Sequence, residues 1–330
     1  MTDKLRWGIL GTGGIAVKFV EDLRYLPDAE VVAVGSRAQE TADAFGNKYN
    51  IPRRYPTYEA LAADPEVDAI YVSTPHPYHE ANALLCIDNG KAVLCEKPFT
   101  INAGGTERVI NRAREKGVFL MEAMWTRYIP TIVKMRELIA SGAIGEVRAF
   151  RADFGFHAPF DPKGRLFDPE LGGGALLDVG IYPISFSYMV LGAPQTIAST
   201  AYLGATGVDE QNGILFGYEG GKTAVLSSAV SLTTQHDAII MGTKGRIIVQ
   251  SPFWQSRQLT LIREGLPAEV HTIYSFPHDG LGYQFEAAEV AACLRAGKLE
   301  SDIMPLDESL AIMRTLDTIR AQWGFKYPGE

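Results

Sequence analysis

The chain has 330 residues, more than one hydrophobic core usually serves, so two domains are expected. Its 46% hydrophobic and 21% charged residues suit a soluble globular enzyme, and a formal charge of −8 argues against nucleic acid or an anionic membrane as partner. Cys86, Cys95 and Cys293 form no CxxC and sit in apolar surroundings, so inert core thiols are expected rather than a disulfide framework or a zinc site. The N-terminus lacks the apolar stretch of a signal peptide and no uninterrupted apolar run approaches membrane-spanning length, which places the protein in the cytoplasm.

Leu5 to Leu10 reads as a strand. It enters Gly11-Thr12-Gly13-Gly14-Ile15-Ala16, and a helical pattern follows through Val17, Val20, Leu23 and Leu26. This is G-x-G-x-x-A with a strand before it and a helix after it, the context of a dinucleotide-binding turn. Gly11 permits the tight turn, Gly13 lets the backbone approach a pyrophosphate, and Ala16 keeps the helix close to the strand. The helix start offers N–H groups and partial positive charge to phosphates. The alternative is a plain tight turn.

A second strand, Glu30 to Gly35, carries Ser36 and Arg37 at its tip. An NAD site usually has an acidic residue here for the ribose 2′-hydroxyl. A hydroxyl and a planar guanidinium suit a 2′-phosphate instead, and such a charged hydrogen bond is worth roughly 1.5–3 kcal/mol. NADP is therefore favoured over NAD; a solvated arginine opening the next helix is the competing explanation.

Thr41 to Tyr49 reads as helix, Arg53 to Tyr55 as a short strand, and Val67 to Val72 as another strand. The latter ends in Ser73-Thr74-Pro75-His76-Pro77-Tyr78-His79, a proline-broken loop at a carboxyl end of the sheet, where ligands bind. Thr74, Pro75, His76 and His79 are candidates for the nicotinamide pocket, against ordinary hydrogen-bonding roles. The strand Ala92 to Cys95 ends in Glu96-Lys97-Pro98. Pro98 denies Lys97 the helical region and holds it extended at the strand tip, where it can donate a proton or a hydrogen bond to a reacting oxygen. A surface lysine is the plain alternative. A helix to Lys116 and a sixth strand, Val118 to Glu122, complete a doubly wound parallel sheet over residues 1–123, a Rossmann domain.

From residue 124 the rhythm changes. After a helix over about 131–141, eight strand-like runs follow: Val147 to Phe156, Gln195 to Leu203, Gly213 to Tyr218, Thr223 to Val230, Ala238 to Met241, Arg246 to Val249, Leu259 to Ile262 and Val270 to Tyr274. Residues 124–330 are expected to form an α+β domain with a large, mostly antiparallel open sheet, whose broad face can pair with a second subunit. Helices over about 282–296 and 307–323 close the chain, the last one free to pack back on the first domain. Between the strands lies Leu171-Gly172-Gly173-Gly174-Ala175-Leu176-Leu177-Asp178-Val179-Gly180-Ile181-Tyr182-Pro183. The glycines permit a close backbone approach and a helix start. Asp178 and Tyr182, four apart, share a helix face. The phenol is a proton-donor candidate if a cation such as Lys97 lowers its pKa, with Asp178 fixing orientation; dipole-favoured acid and ordinary packing are the alternative.

Together the Gly11–Ala16 turn, Ser73-Thr74-Pro75 with His79, Glu96-Lys97-Pro98 and the Gly172-to-Pro183 block resemble the glucose–fructose oxidoreductase / inositol dehydrogenase family (Gfo/Idh/MocA). Met121-Glu122-Ala123-Met124-Trp125-Thr126-Arg127 is similar to the branch with dimeric dihydrodiol and D-xylose dehydrogenases. The resemblance implies NAD(P)-dependent hydride transfer to or from a carbinol carbon of a sugar, cyclic polyol or diol. It puts Lys97 and Tyr182 at the catalytic positions with Asp178 in support, and leaves open which of the two moves the proton. It further implies a cis bond at Lys97–Pro98, a homodimer through the open sheet, and an aromatic substrate pocket for which Trp125, Phe154 and Trp254 are the matching candidates. No metal is called for, because the histidines form no ligand cluster with an acid. A non-catalytic NADP(H)-sensing regulator and a sugar–sugar oxidoreductase that retains its cofactor are the rival readings.

Overall fold

The computed structural model describes residues 4–265 and 268–330. The chain falls into two compact units, Met1–Trp125 with Asp279–Leu310, and Thr126–His278 with Ala311–Glu330.

The first unit is built on six parallel strands, β1 (Leu5–Leu10), β2 (Ala29–Gly35), β3 (Arg53–Tyr55), β4 (Ala69–Val72), β5 (Ala92–Glu96) and β6 (Leu120–Ala123), in the order β3-β2-β1-β4-β5-β6. Every residue of β4, β5 and β6 is buried, the pattern of a parallel sheet covered on both faces. The covering helices are α1 (Gly14–Leu23), α2 (Gln39–Tyr49), α3 (Tyr58–Ala62), α4 (His79–Asp88) and α5 (Ala103–Lys116). Alternation along β4 shows the two faces. Ile70 and Val72 join an apolar cluster with Ala83 and Cys86 of α4 and Val109 and Ile110 of α5. Tyr71, pointing the other way, stacks on Phe19 of α1 with ring centroids 3.8 Å apart. All three cysteines are buried and unpaired with one another. The order of the strands reverses between β1 and β4, and that is where a doubly wound sheet opens its ligand crevice.

The second unit holds α6 (Pro130–Ala140) and eight strands: β7 (Val147–Gly155), β8 (Thr196–Leu203), β9 (Asp209–Gly217), β10 (Thr223–Ala229), β11 (Ala238–Gly242), β12 (Gly245–Val249), β13 (Gln258–Arg263) and β14 (Val270–Ser275). Their order is β14-β13-β12-β11-β7-β10-β9-β8, antiparallel except for β7 with β10. Ile214, Phe216, Ala224 and Leu226 point into the core, while Leu215 and Val225 between them point out and are about half exposed. Under the inner face runs α7 (Ile181–Leu191), whose residues Ile181 to Tyr188 are all buried. Eighteen residues within Pro169–Leu191 are apolar enough to cross a membrane, yet 83% of them are buried inside the protein, so this is a core element.

The last two helices are α8 (Tyr283–Arg295) and α9 (Leu306–Gln322). On its sequence the last helix is free to pack back on the first domain; in the structure α8 lies wholly in the first unit, and α9 joins it through its first turn. The reason is chemical. The buried Asp22 carboxylate on α1 accepts the backbone N–H groups of Leu281, Gly282 and Tyr283 at 2.8–3.0 Å, and so caps α8. Arg295 reinforces it with an ion pair to Asp28 at 2.6 Å.

Candidate active site

In the first unit the glycine turn follows β1 as expected. Gly11 adopts φ +101°, and a Cβ there would stand 3.1 Å from Ser73 Oγ and 3.2 Å from Ser73 O, so conformation and crowding both require glycine. Gly13 and Gly14 differ. They are exposed, and a Cβ on either would meet nothing within 4 Å. No side chain caps α1. Thr12 and Ile15, half-buried, flank this open cradle, and Ala16 is fully buried beneath it. Extended backbone at an uncapped helix start, with room above it, fits the pyrophosphate of a dinucleotide.

At the tip of β2 the Ser36 hydroxyl is buried and bonded to Thr41 Oγ1 at 2.6 Å, while Arg37 stands exposed beside Tyr58, whose phenol is pushed up by burial against the opposing pull of that guanidinium. The loop after β4 and the tip of β5 are tied by His79. Its Nε2 meets Thr74 O at 2.7 Å and its Nδ1 meets Pro98 O at 2.8 Å. The ring is wholly buried, and burial holds it below the usual imidazole range. Both ring nitrogens of His79 thus meet carbonyls, while His76, the other histidine proposed for the nicotinamide pocket, is half-buried in a short helical turn, with Pro75 exposed before it. Asn82 adds a 3.0 Å bond to Thr74 Oγ1.

Lys97 is half-buried, and its bond to Pro98 is cis, as the resemblance implied. Glu96 points inward. Its Oε2 accepts the Lys97 backbone N–H at 3.2 Å and its Oε1 accepts from the Tyr71 hydroxyl. Burial and the Glu96 charge push the Tyr71 phenol well up. Glu286 of α8 is fully buried nearby, and burial, then Glu96 and Asp22, push its carboxyl well above the carboxylate range. Trp125 is also in this unit, 3% exposed and stacked on Tyr283 at 4.5 Å.

In the second unit, residues Leu176–Gly180 form a π-helical turn that leads into α7. Such wide turns recur at functional sites. Asp178, on this turn, is almost buried and receives both arms of Arg165, at 2.7 and 3.4 Å. Tyr182 opens α7 and is 7% exposed. Its ring lies 5.4 Å from Phe154 and 6.5 Å from Trp254. Phe154 and Trp254 stack face to face at 3.4 Å, and His236 stands edge-on to both. Tyr182 and two of the three pocket candidates, Phe154 and Trp254, thus share one aromatic group. Arg165 and His236 were missed. His236 lies in the turn before β11 with φ +65°, and no motif marks it. Among the described residues, no three His, Cys, Asp or Glu side chains are placed to hold a metal ion.

Comparison with known proteins agrees with this architecture. Residues 5–124 match the family model described as "Oxidoreductase family, NAD-binding Rossmann fold", and residues 132–248 match the one described as "GFO/IDH/MocA C-terminal domain". The chain is 40% identical over 329 residues to trans-1,2-dihydrobenzene-1,2-diol dehydrogenase of Xenopus tropicalis, which covers 98% of this chain and 99% of the relative. The human protein of that name is 37% identical over 339 residues, 98% of each chain. The solved structure of a 3-ketoreductase from Actinomadura kijaniata in complex with NADP and TDP-benzene is similar with a TM-score of 0.85. It is 26% identical and covers 97% of this chain and 98% of that one.

Proposed function

This chain belongs to the GFO/IDH/MocA family and is an NAD(P)-dependent oxidoreductase, and from that premise we propose that it uses NADP to interconvert a hydroxyl and a carbonyl on a trans-dihydrodiol, cyclic polyol or sugar. The observation that carries the cofactor site is the cradle at Gly13 and Gly14, where the chain leaves open what a side chain would fill. Arg37, exposed at the tip of β2, supports the 2′-phosphate reading, as does the NADP complex of the similar ketoreductase. When bound, the nicotinamide supplies or takes up the hydride. The relatives named as dihydrodiol dehydrogenases favour a diol, and the flat faces of Phe154 and Trp254 beside Tyr182 suit a ring.

In this reading the Lys97 ammonium hydrogen-bonds the reacting oxygen and stabilises its negative charge as the proton leaves or returns. The Tyr182 phenol is the second group assigned to that proton, and Asp178, held by Arg165, orients the turn before it. His79 acts on the chain rather than the substrate: by gripping Pro98 O it fixes the loop that presents Lys97. Lys97→Met tests the assignment. Turnover of a trans-dihydrodiol with NADP is expected to fall by about a thousandfold while NADPH still quenches tryptophan fluorescence. Undiminished turnover overturns it.

We also propose a homodimer through the outer face of the second sheet. Registered pairs place Ala198, Leu215, Val225, Arg151, Ile239, Ile248, Thr260 and Ile273 in one row across all eight strands. Leu215, Val225 and Ile273 are 48%, 52% and 62% exposed, more apolar surface than a lone subunit is expected to leave in one band.

A further inference from the structure

One buried acid of the second unit has no part in the chemistry just described. Asp209, the first residue of β9, is fully buried. Its Oδ2 accepts the Leu176 backbone N–H and the Asn212 amide, each at 2.8 Å, and Asn212 in turn accepts from Ser228 Oγ at 2.9 Å. Its Oδ1 meets no hydrogen-bond donor among the described residues. That oxygen lies against Gly174, where a Cβ would stand 2.3 Å away and where φ is +112°. The glycine is bare and left-handed because the carboxyl group occupies its side of the turn. Leu176 begins the π-helical turn that carries Asp178, and Tyr182 follows on the helix it leads into.

We propose that Asp209 is a positioning residue for the reaction: it fixes the start of the helical segment that carries Asp178 and Tyr182, and with it the place of both side chains. The inference rests on the roles given to those two residues above. A helix start is commonly capped by a short polar side chain immediately before it in sequence. Here the cap is an acid from a distant strand, reached across a glycine and shielded from water. The charged and titratable groups facing it are Arg320 of α9 and Tyr327 in the segment after α9. Arg320 is shared with Asp317 at 2.6 Å and Glu330 at 2.5 Å. Burial outweighs the hydrogen bonds and Arg320, and pushes the Asp209 carboxyl up to about 7. When protonated, Oδ2 still accepts the Leu176 N–H as a neutral carbonyl. When ionised, that bond is charge-assisted and roughly twice as strong. The hold on the helix start therefore tightens as pH rises through neutrality.

The test compares wild type, Asp209→Leu, Asp209→Asn and Tyr182→Phe, each as the whole protein, with NADP and a trans-dihydrodiol. Asp209→Leu is expected to lower kcat roughly tenfold or more with NADPH affinity kept. Asp209→Asn keeps an acceptor and comes within about threefold of wild type at pH 6, then falls behind by about a further threefold at pH 8. A wild-type-to-Asn ratio equal at both pH values overturns the proposal, and this arm decides if Asp209→Leu fails to fold. Full kcat in Asp209→Leu beside an impaired Tyr182→Phe overturns the proposal alone. Full kcat in Tyr182→Phe overturns the role of Tyr182 instead. Hydrogen exchange of amides 176–182 then decides: roughly tenfold faster exchange in Asp209→Leu supports the proposal, and unchanged exchange overturns it.

Discussion

Replacing Asp209 by Asn should change how stability depends on pH. The folded carboxyl titrates at about 7 against 3.8 for an unperturbed aspartate. Between those values the folded state binds the proton and the unfolded state does not, so the free energy of unfolding falls as pH rises. The favourable contribution is complete below 3.8 and lost by the time pH has passed 7. At about 1.4 kcal/mol per unit the whole loss is about 4 kcal/mol, of which about 2 kcal/mol falls between pH 5.5 and 8. The cause is burial without a donor on Oδ1, which disfavours the charge. Asn has no proton to lose and keeps an acceptor for the Leu176 N–H. Urea denaturation of both proteins at pH 5.5 and pH 8 measures the effect. The stability of Asp209→Asn relative to wild type should rise by about 2 kcal/mol between the two. A difference that stays constant refutes the assignment of a neutral, buried acid.

Three further outcomes are expected. Gly13→Ala adds a methyl group where nothing lies within 4 Å, so melting temperature should hold while the Kd for NADPH rises about tenfold; unchanged binding would remove the turn from the cofactor site. Arg37→Ala should weaken NADPH by about ten- to a hundredfold and leave NADH alone, and equal losses for both would refute a 2′-phosphate contact. Leu215→Arg puts a charge in the exposed apolar row and should halve the mass seen by sedimentation; a wild type that already sediments as a monomer would sink the dimer.

The strands and the parallel or mostly antiparallel character of the two sheets were legible because burial writes them into the chain as continuous apolar runs, as in β4 and β5, or as alternation, as in β9 and β10. The front of β9 was not. The apolar pattern begins at Ile214, whereas the strand begins at Asp209, since Asp209 and Asn212 are polar residues pointing inward whose partners appear only in the fold. The same fact hid the reason for the glycines. Gly174 makes room for Asp209, and Gly173 for the backbone of Asp168 and Leu166, which spacing alone does not reveal. The glycine turn after β1 was readable because strand, glycines and helix are contiguous. The destination of α8 was not, because it is set by Asp22, some 260 positions earlier. The bond of the Ser36 hydroxyl to Thr41, five residues on, was not legible either.

The division of the chain has a bearing on how the protein can be made and engineered. Each unit is finished by a segment that the chain reaches only after passing through the other, 279–310 for the first and 311–330 for the second. A ribosome releasing residue 278 has delivered every strand of the described residues, yet neither unit is closed: Asp22 still faces water where three N–H groups belong, and Tyr188 lacks Ala311 and Thr315. Folding to completion is thus expected after synthesis rather than domain by domain during it. Grafting the cofactor unit onto another partner would need two cuts and a crossover, since a fragment ending at Trp125 lacks α8, including Glu286 and the aromatic partner of Trp125 itself.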